Sequence, residues 1–164
     1  MKRLVFTAVA VASLAGCSTP GWDLPLSTTA SPEITVLDTR RHPQIMVEQI
    51  DPVAILASYQ TRVSISEYMA SELAELIRPQ SEVDIKIQTV AFKVSGLADR
   101  SPSTGSCKLV SILPNTTATH VSTAINNIPL GSATKQSLPG ELIQPCLDRH
   151  IAEIAHTLTE IEAI

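Results

Sequence analysis

The sequence predicts an α+β domain, a mainly antiparallel sheet of about four or five strands with two amphipathic helices packed on one face. Three observations predict it. Ile65, Met69, Leu73, Leu76 and Ile77 recur at helical spacing, and so do Leu147, Ile151, Ile154, Ala155, Leu158 and Ile161 near the carboxyl end. Between these stripes, residues 82–128 change to a period of two, as half-buried strands require. Two helices with one apolar face each and a sheet with one apolar face bury one another when both helices lie on the same side.

Taken in order, Ile34 and Val36, then Ile45, Val47 and Gln49, predict two short strands. Asp51-Pro52 interrupts, and 53–59 is open between a hairpin partner and a helical turn. The first helix is marked by Ser64-Ile65-Ser66-Glu67. In this capping box the Ser64 hydroxyl accepts from the amide of residue 67, and the Glu67 carboxylate accepts from the amide of residue 64. Val63 and Tyr68 occupy the hydrophobic-staple positions, and Pro79 ends the helix near Arg78.

Residues 82–94 form the strongest strand. Val83, Ile85 and Ile87 alternate on odd positions but Val90, Phe92 and Val94 on even ones, a parity change that predicts a bulge or twist near Gln88-Thr89. The composition of 95–105 predicts a loop, 107–113 a strand, Pro114-Asn115 a turn and 116–128 a threonine-rich strand. Pro129, Gly131, Pro139 and Gly140 place a connection at 129–140. The last helix begins near Glu141, with Pro145 suited to its start.

The amino terminus has a different logic. Met1-Lys2-Arg3 is positively charged, and 4–15 is an apolar or small run too short for the ~20 residues a membrane span needs. A basic head, a short apolar stretch and small residues describe a secretory signal. Leu14-Ala15-Gly16-Cys17 adds the lipobox pattern, in which the Cys17 thiol takes up diacylglycerol and cleavage frees its amine for further acylation. Two or three acyl chains anchor stably where one does not.

The expected organisation is therefore a lipoprotein signal at 1–16, the lipidated cysteine and a tether at 17–32, and a single α+β domain at 33–164. The tether holds three prolines and no period; its Trp22 either docks on the domain or sits near the membrane interface. Serine after the cysteine, where aspartate favours inner-membrane retention in enterobacteria, points to the outer membrane, facing the periplasm.

Removal of 1–16 leaves 148 residues, enough for one core, and shifts the net charge from −4 to −6. No basic cluster supports nucleic acid as a partner. Cys107 and Cys146 are an even pair, which an oxidising compartment favours as a disulfide; two buried thiols are the alternative.

No catalytic motif is assembled: G-x-S-x-G, H-E-x-x-H and a Gly-rich phosphate loop are missing from the sequence, and no cofactor, metal or catalytic residue is assigned. His150-x-x-Glu153-x-x-His156 is the nearest constellation. Its histidines stand about 120° apart on a helix, which suits a solvated face, with Glu153, Glu160 and Glu162 facing solvent as well. His42 and His120 read as structural. Arg40-Arg41-His42 is a small basic cluster that reads as ordinary loop charge, with anionic headgroups as the alternative.

The lipobox, the Ser64–Met69 helix, the 81–94 strand and the carboxyl-terminal helix together resemble the small Gram-negative lipoproteins of the YajG-like family. Auxiliary lipoproteins of ABC transporters and LptE-like proteins have a similar layout. Gly21-Trp22-Asp23-Leu24 is similar to the Gly-aromatic-x-Leu after the LptE cysteine, but lies three residues further on, and LptE's role is not carried over. The resemblance implies a non-enzymatic accessory or scaffold in an envelope assembly or transport system. Its partners would be the membrane, through lipid on Cys17, and an envelope protein. A lipid or small-ligand binder is the alternative.

Overall fold

A computed structural model describes residues 22–26, 31–50, 54–79, 81–95, 103–114, 118–131 and 134–162. The elements run β1 (Ile34–Asp38), β2 (Ile45–Gln49), β3 (Ala54–Tyr59), α1 (Ile65–Leu76), β4 (Val83–Ser95), β5 (Ser103–Leu113), β6 (Thr119–Leu130) and α2 (Gln144–Glu162). A wide helical turn, Pro139–Ile143, leads directly into α2, with the Gln144 amide donating to the Pro139 carbonyl. The class is α+β, as expected, but the sheet has six strands and is mixed rather than mainly antiparallel.

The parallel pairs come from a detour. β1 lies along Val83–Ile87 of β4 and β2 along Phe92–Val94, both parallel to β4 and on the same side of it. They behave as one strand broken in the middle. At the break the Thr39 amide and hydroxyl both donate to the Ile87 carbonyl, at 3.1 and 2.7 Å. Arg40 then clasps Asp38 through two bonds of 2.8 and 2.6 Å and donates to the Pro43 carbonyl at 2.8 Å, which folds the loop back to start β2. A helical crossover between β3 and β4 allows the parallel direction that a tight hairpin forbids. Arg40, expected in a loose basic cluster, is thus held by Asp38.

β2 and β3 form an antiparallel hairpin, which resolves 53–59 as strand for its described part, and β4, β5 and β6 form an antiparallel meander. The bulge expected near Gln88-Thr89 is present as a register shift between Ile87 and Thr89. It explains the parity change: Gln88 is the extra residue, so Val83, Ile85 and Ile87 share a buried face with Phe92 and Val94. β5 begins at Ser103, inside the segment read as loop, because Ser103, Gly105 and Cys107 alternate inward like the rest of the strand. β6 extends through Pro129, two residues past its expected end. Proline is tolerated there because β6 is an edge strand and needs no donor on its open side.

The inward faces of the strands meet α1 and α2 in one core that includes Val47, Met69, Leu73, Ile85, Val94, Leu142, Leu147 and Ile154. The helices touch each other as well: the Tyr68 hydroxyl donates to Asp148 across the α1–α2 seam. Both capping-box bonds are made at Ser64 and Glu67, and Val63 and Tyr68 pack against or within the core. Among the described residues no helix covers the opposite face of the sheet, and Leu37, Lys86, Lys93, Lys108 and Ser122 are exposed on it.

Part of the segment read as a tether docks on the domain. The Trp22 ring packs edge-on against Tyr59 with centroids 6.5 Å apart, Leu24 is buried, and Asp23 accepts from the Arg62 amide at 3.1 Å. Tyr59 in turn donates to the Lys135 carbonyl at 2.5 Å, and burial pushes its phenol up to about 12.

Candidate functional site

Cys17, the expected lipidation site, and the whole lipobox lie outside the described residues. Cys107 and Cys146 are joined in a disulfide with Cα atoms 6.4 Å apart, tying the middle of β5 to the first turn of α2. Cys107 is placed by the inward parity of β5 and Cys146 by the apolar stripe of α2, so the bond lies wholly within the core.

Sequence reasoning missed a polar cluster next to this bond. His150 is 1% exposed, not on a solvated face. Its ring is gripped by two strand hydroxyls: Ser111 Oγ stands 2.8 Å from Nε2 and Thr123 Oγ1 2.9 Å from Nδ1. Thr123 also bonds the Glu153 carboxylate. A carboxylate has no hydrogen to give and a threonine hydroxyl has one, so Thr123 donates to Glu153 and accepts from His150 Nδ1–H. Nε2 is then the acceptor, and Ser111 donates to it. The hydrogen bonds run one way, from Ser111 through His150 and Thr123 to Glu153.

The order looks like a serine-histidine-acid relay, but the geometry denies it a substrate. Ser111 is wholly buried on β5, so its oxygen meets only protein, whereas a nucleophile must reach a reacting carbon. Burial also pushes His150 down to about 4, with Glu153 partly opposing the shift, so the ring is neutral at neutral pH. The cluster satisfies its own polar atoms. Among the described residues no buried side-chain nitrogen or oxygen lacks a partner.

Above the cluster, an open groove of about 550 Å³ runs between β6 and α2, lined by His120, Ser122, Arg149, Glu153 and His156 among others. Its polar side chains are mutually engaged: Arg149 stands 3.3 Å from Glu153, and His156 Nδ1 stands 3.5 Å from Glu160. Glu153 is therefore half-buried between the groove and Thr123, and not simply solvent-facing. Among the described residues, no group of three or more His, Cys, Asp or Glu side chains is placed to hold a metal ion, and no helix is long and apolar enough to cross a membrane.

At the α1–α2 seam, burial and the neighbouring Asp148 raise the Tyr68 phenol above its ordinary value. Burial, then Glu75 and Asp148, raise the Glu72 carboxyl. The Tyr68–Asp148 hydrogen bond joins the two helices across this seam.

Compared with known proteins, residues 1–18 match the family described as the prokaryotic membrane lipoprotein lipid attachment site. The chain carries a lipoprotein attachment signal. That signal indicates a prokaryotic membrane lipoprotein held by lipid on a cysteine. No curated protein matches the chain.

Proposed function

We propose that this lipoprotein is a non-enzymatic accessory or scaffold of an envelope assembly or transport system, held on the outer membrane and facing the periplasm. The observation that carries the reading is the sheet, covered by helices on one face and bare on the other. A bare, rigid face with Lys86, Lys93, Lys108 and Leu37 is a surface for a protein partner. The edge strand β3, Ala-Ile-Leu-Ala-Ser-Tyr, carries no charge and leaves Ile55 66% exposed, a suitable edge for strand addition.

The sealed Ser111–His150 cluster supports a binding role over a hydrolytic one. A filled seam between helices and sheet, with Met69, Leu73, Ile85 and Leu147 fully buried, supports a scaffold over a carrier of apolar cargo. Kinship with the YajG-like lipoproteins belongs to the same proposal, resting on the motifs quoted above.

Two measurements test it. Radioactive palmitate should label the wild type and not Cys17→Ser; label retained in the variant would defeat the anchor. Photo-crosslinking residues placed at positions 86 and 108 should give one shared adduct that position 160 on α2 does not. Adducts from position 160 alone would remove the sheet face from the proposal.

A further inference from the structure

The docked segment sets how the domain sits on its membrane. Four residues lie between Cys17 and Trp22, and a fully extended chain covers about 18 Å over those five Cα steps. Trp22 is fixed on Tyr59, Asp23 on Arg62 and Leu24 in the core, so the chain is held to the domain from residue 22 onward and the stretch between lipid and first contact is no longer than residues 17–22. A compact domain of this size has a radius of gyration of about 14 Å. The leash is thus shorter than the domain is wide, and the far end of the domain cannot reach the lipid.

The surface around the docking point has the chemistry of a headgroup contact. Pro43 and Gln44 line the same cleft as Tyr59, Gln60, Thr61 and Arg62. Arg41 and His42, exposed in the loop that ends at Pro43, therefore stand at the end of the domain that holds Trp22. Arg62 is 90% exposed; Asp23, its ionic neighbour among the described residues, is 3.8 Å away and half-exposed. Arg40 is paired with Asp38, and Glu67 accepts from the Ser64 cap, which favours its anionic form. Leu26 adds an exposed apolar side chain two residues beyond the buried Leu24. Arg41 and Arg62 are exposed at this end of a mature chain that carries −6.

We propose that the end of the domain carrying Trp22, Arg41 and Arg62 rests on the headgroups of the bilayer that holds the lipid on Cys17. The proposal rests on the anchoring of Cys17, and its occupant is that lipid surface alone. It orients the molecule: a short leash and two arginines hold one end of the sheet down, leaving the bare face upright beside the bilayer.

Trp22 is the single tryptophan, so its emission reports the contact without a label. The lipidated full chain is reconstituted in phosphatidylglycerol-containing vesicles with and without a headgroup nitroxide lipid. Quenching of Trp22 is expected, and Arg41→Glu/Arg62→Glu should weaken it by about twofold at low salt while the circular dichroism stays unchanged. A long Gly/Ser insertion between Ser18 and Trp22, combined with the double variant, should abolish it. A vesicle-bound, lipidated chain whose Trp22 is not quenched overturns the orientation and leaves the anchor standing. Quenching that ignores both changes overturns the headgroup contact. Intact mass of the amino terminus separates these from a third result, an unacylated Cys17, which would remove the anchor and the proposal together.

Discussion

Burial holds His150 down near 4, against 6.5 for an exposed ring, so the native and unfolded chains bind different numbers of protons between those values. The unfolded chain takes up a proton there that the native chain refuses. Stability from this site is therefore complete above about pH 6.5, declines as pH falls toward 4 and levels off below. At about 1.36 kcal/mol per unit the whole effect is about 3 kcal/mol. The urea midpoint should fall through this window, and the fall should flatten in His150→Gln; an unchanged pH slope in that variant would show that His150 is not the group responsible. The burial was legible in principle. His150 lies between Leu147 and Ile154 at stripe spacing, and Ser111 and Thr123 occupy inward positions on neighbouring strands. Polar residues at inward positions ask for a buried polar partner. The separation of His150 from His156 shows only that they point apart, and not which one points in.

Helix and strand types follow from local chemistry, and this is why most elements could be read from the sequence. Ser64→Ala deletes the acceptor for the Glu67 amide at 3.1 Å and should cost about 1 kcal/mol, read as a lower thermal midpoint. Gly105 and Asn127 illustrate what needs the third dimension. A Cβ at Gly105 would stand 2.7 Å from Leu142 Cδ1 and 3.1 Å from Leu130 Cδ1, so Gly105→Val should destabilise by roughly 1–3 kcal/mol in denaturant titration. Asn127 takes φ 62° where β6 carries two residues, Asn126 and Asn127, against Ser106 of β5. Asparagine tolerates that left-handed backbone; a β-branched side chain does not. Asn127→Gly should leave the melting temperature unchanged or raised, and Asn127→Val should lower it. Parallel pairing, by contrast, has no local period. Nothing in Ile34–Asp38 says which strand it will join, and only the crossover through α1 brings β4 alongside it.

For the molecule as a whole, the disulfide is the strongest single constraint. It spans 39 residues of sequence, including all of β6 and the wide turn, and on the chain-entropy model such a loop stabilises by about 4 kcal/mol. Reduction should shift the urea midpoint down accordingly while leaving helix and strand content in place; no shift would mean that the reduced chain keeps the same restraint by packing alone. The attachment signal was legible from four residues, and the docking of Trp22 on Tyr59 was not, because it depends on residues 37 positions apart meeting in the fold. The Cys107–Cys146 bond also has a consequence in time. A precursor bearing a secretory signal is made where thiols stay reduced and must be threaded across a membrane as an open chain. Until it crosses, the chain lacks the clasp between β5 and α2 and is easier to pull apart. On the proposed periplasm-facing placement the bond closes only on the far side, so the same two cysteines would leave the newborn chain pliable and make the delivered one durable.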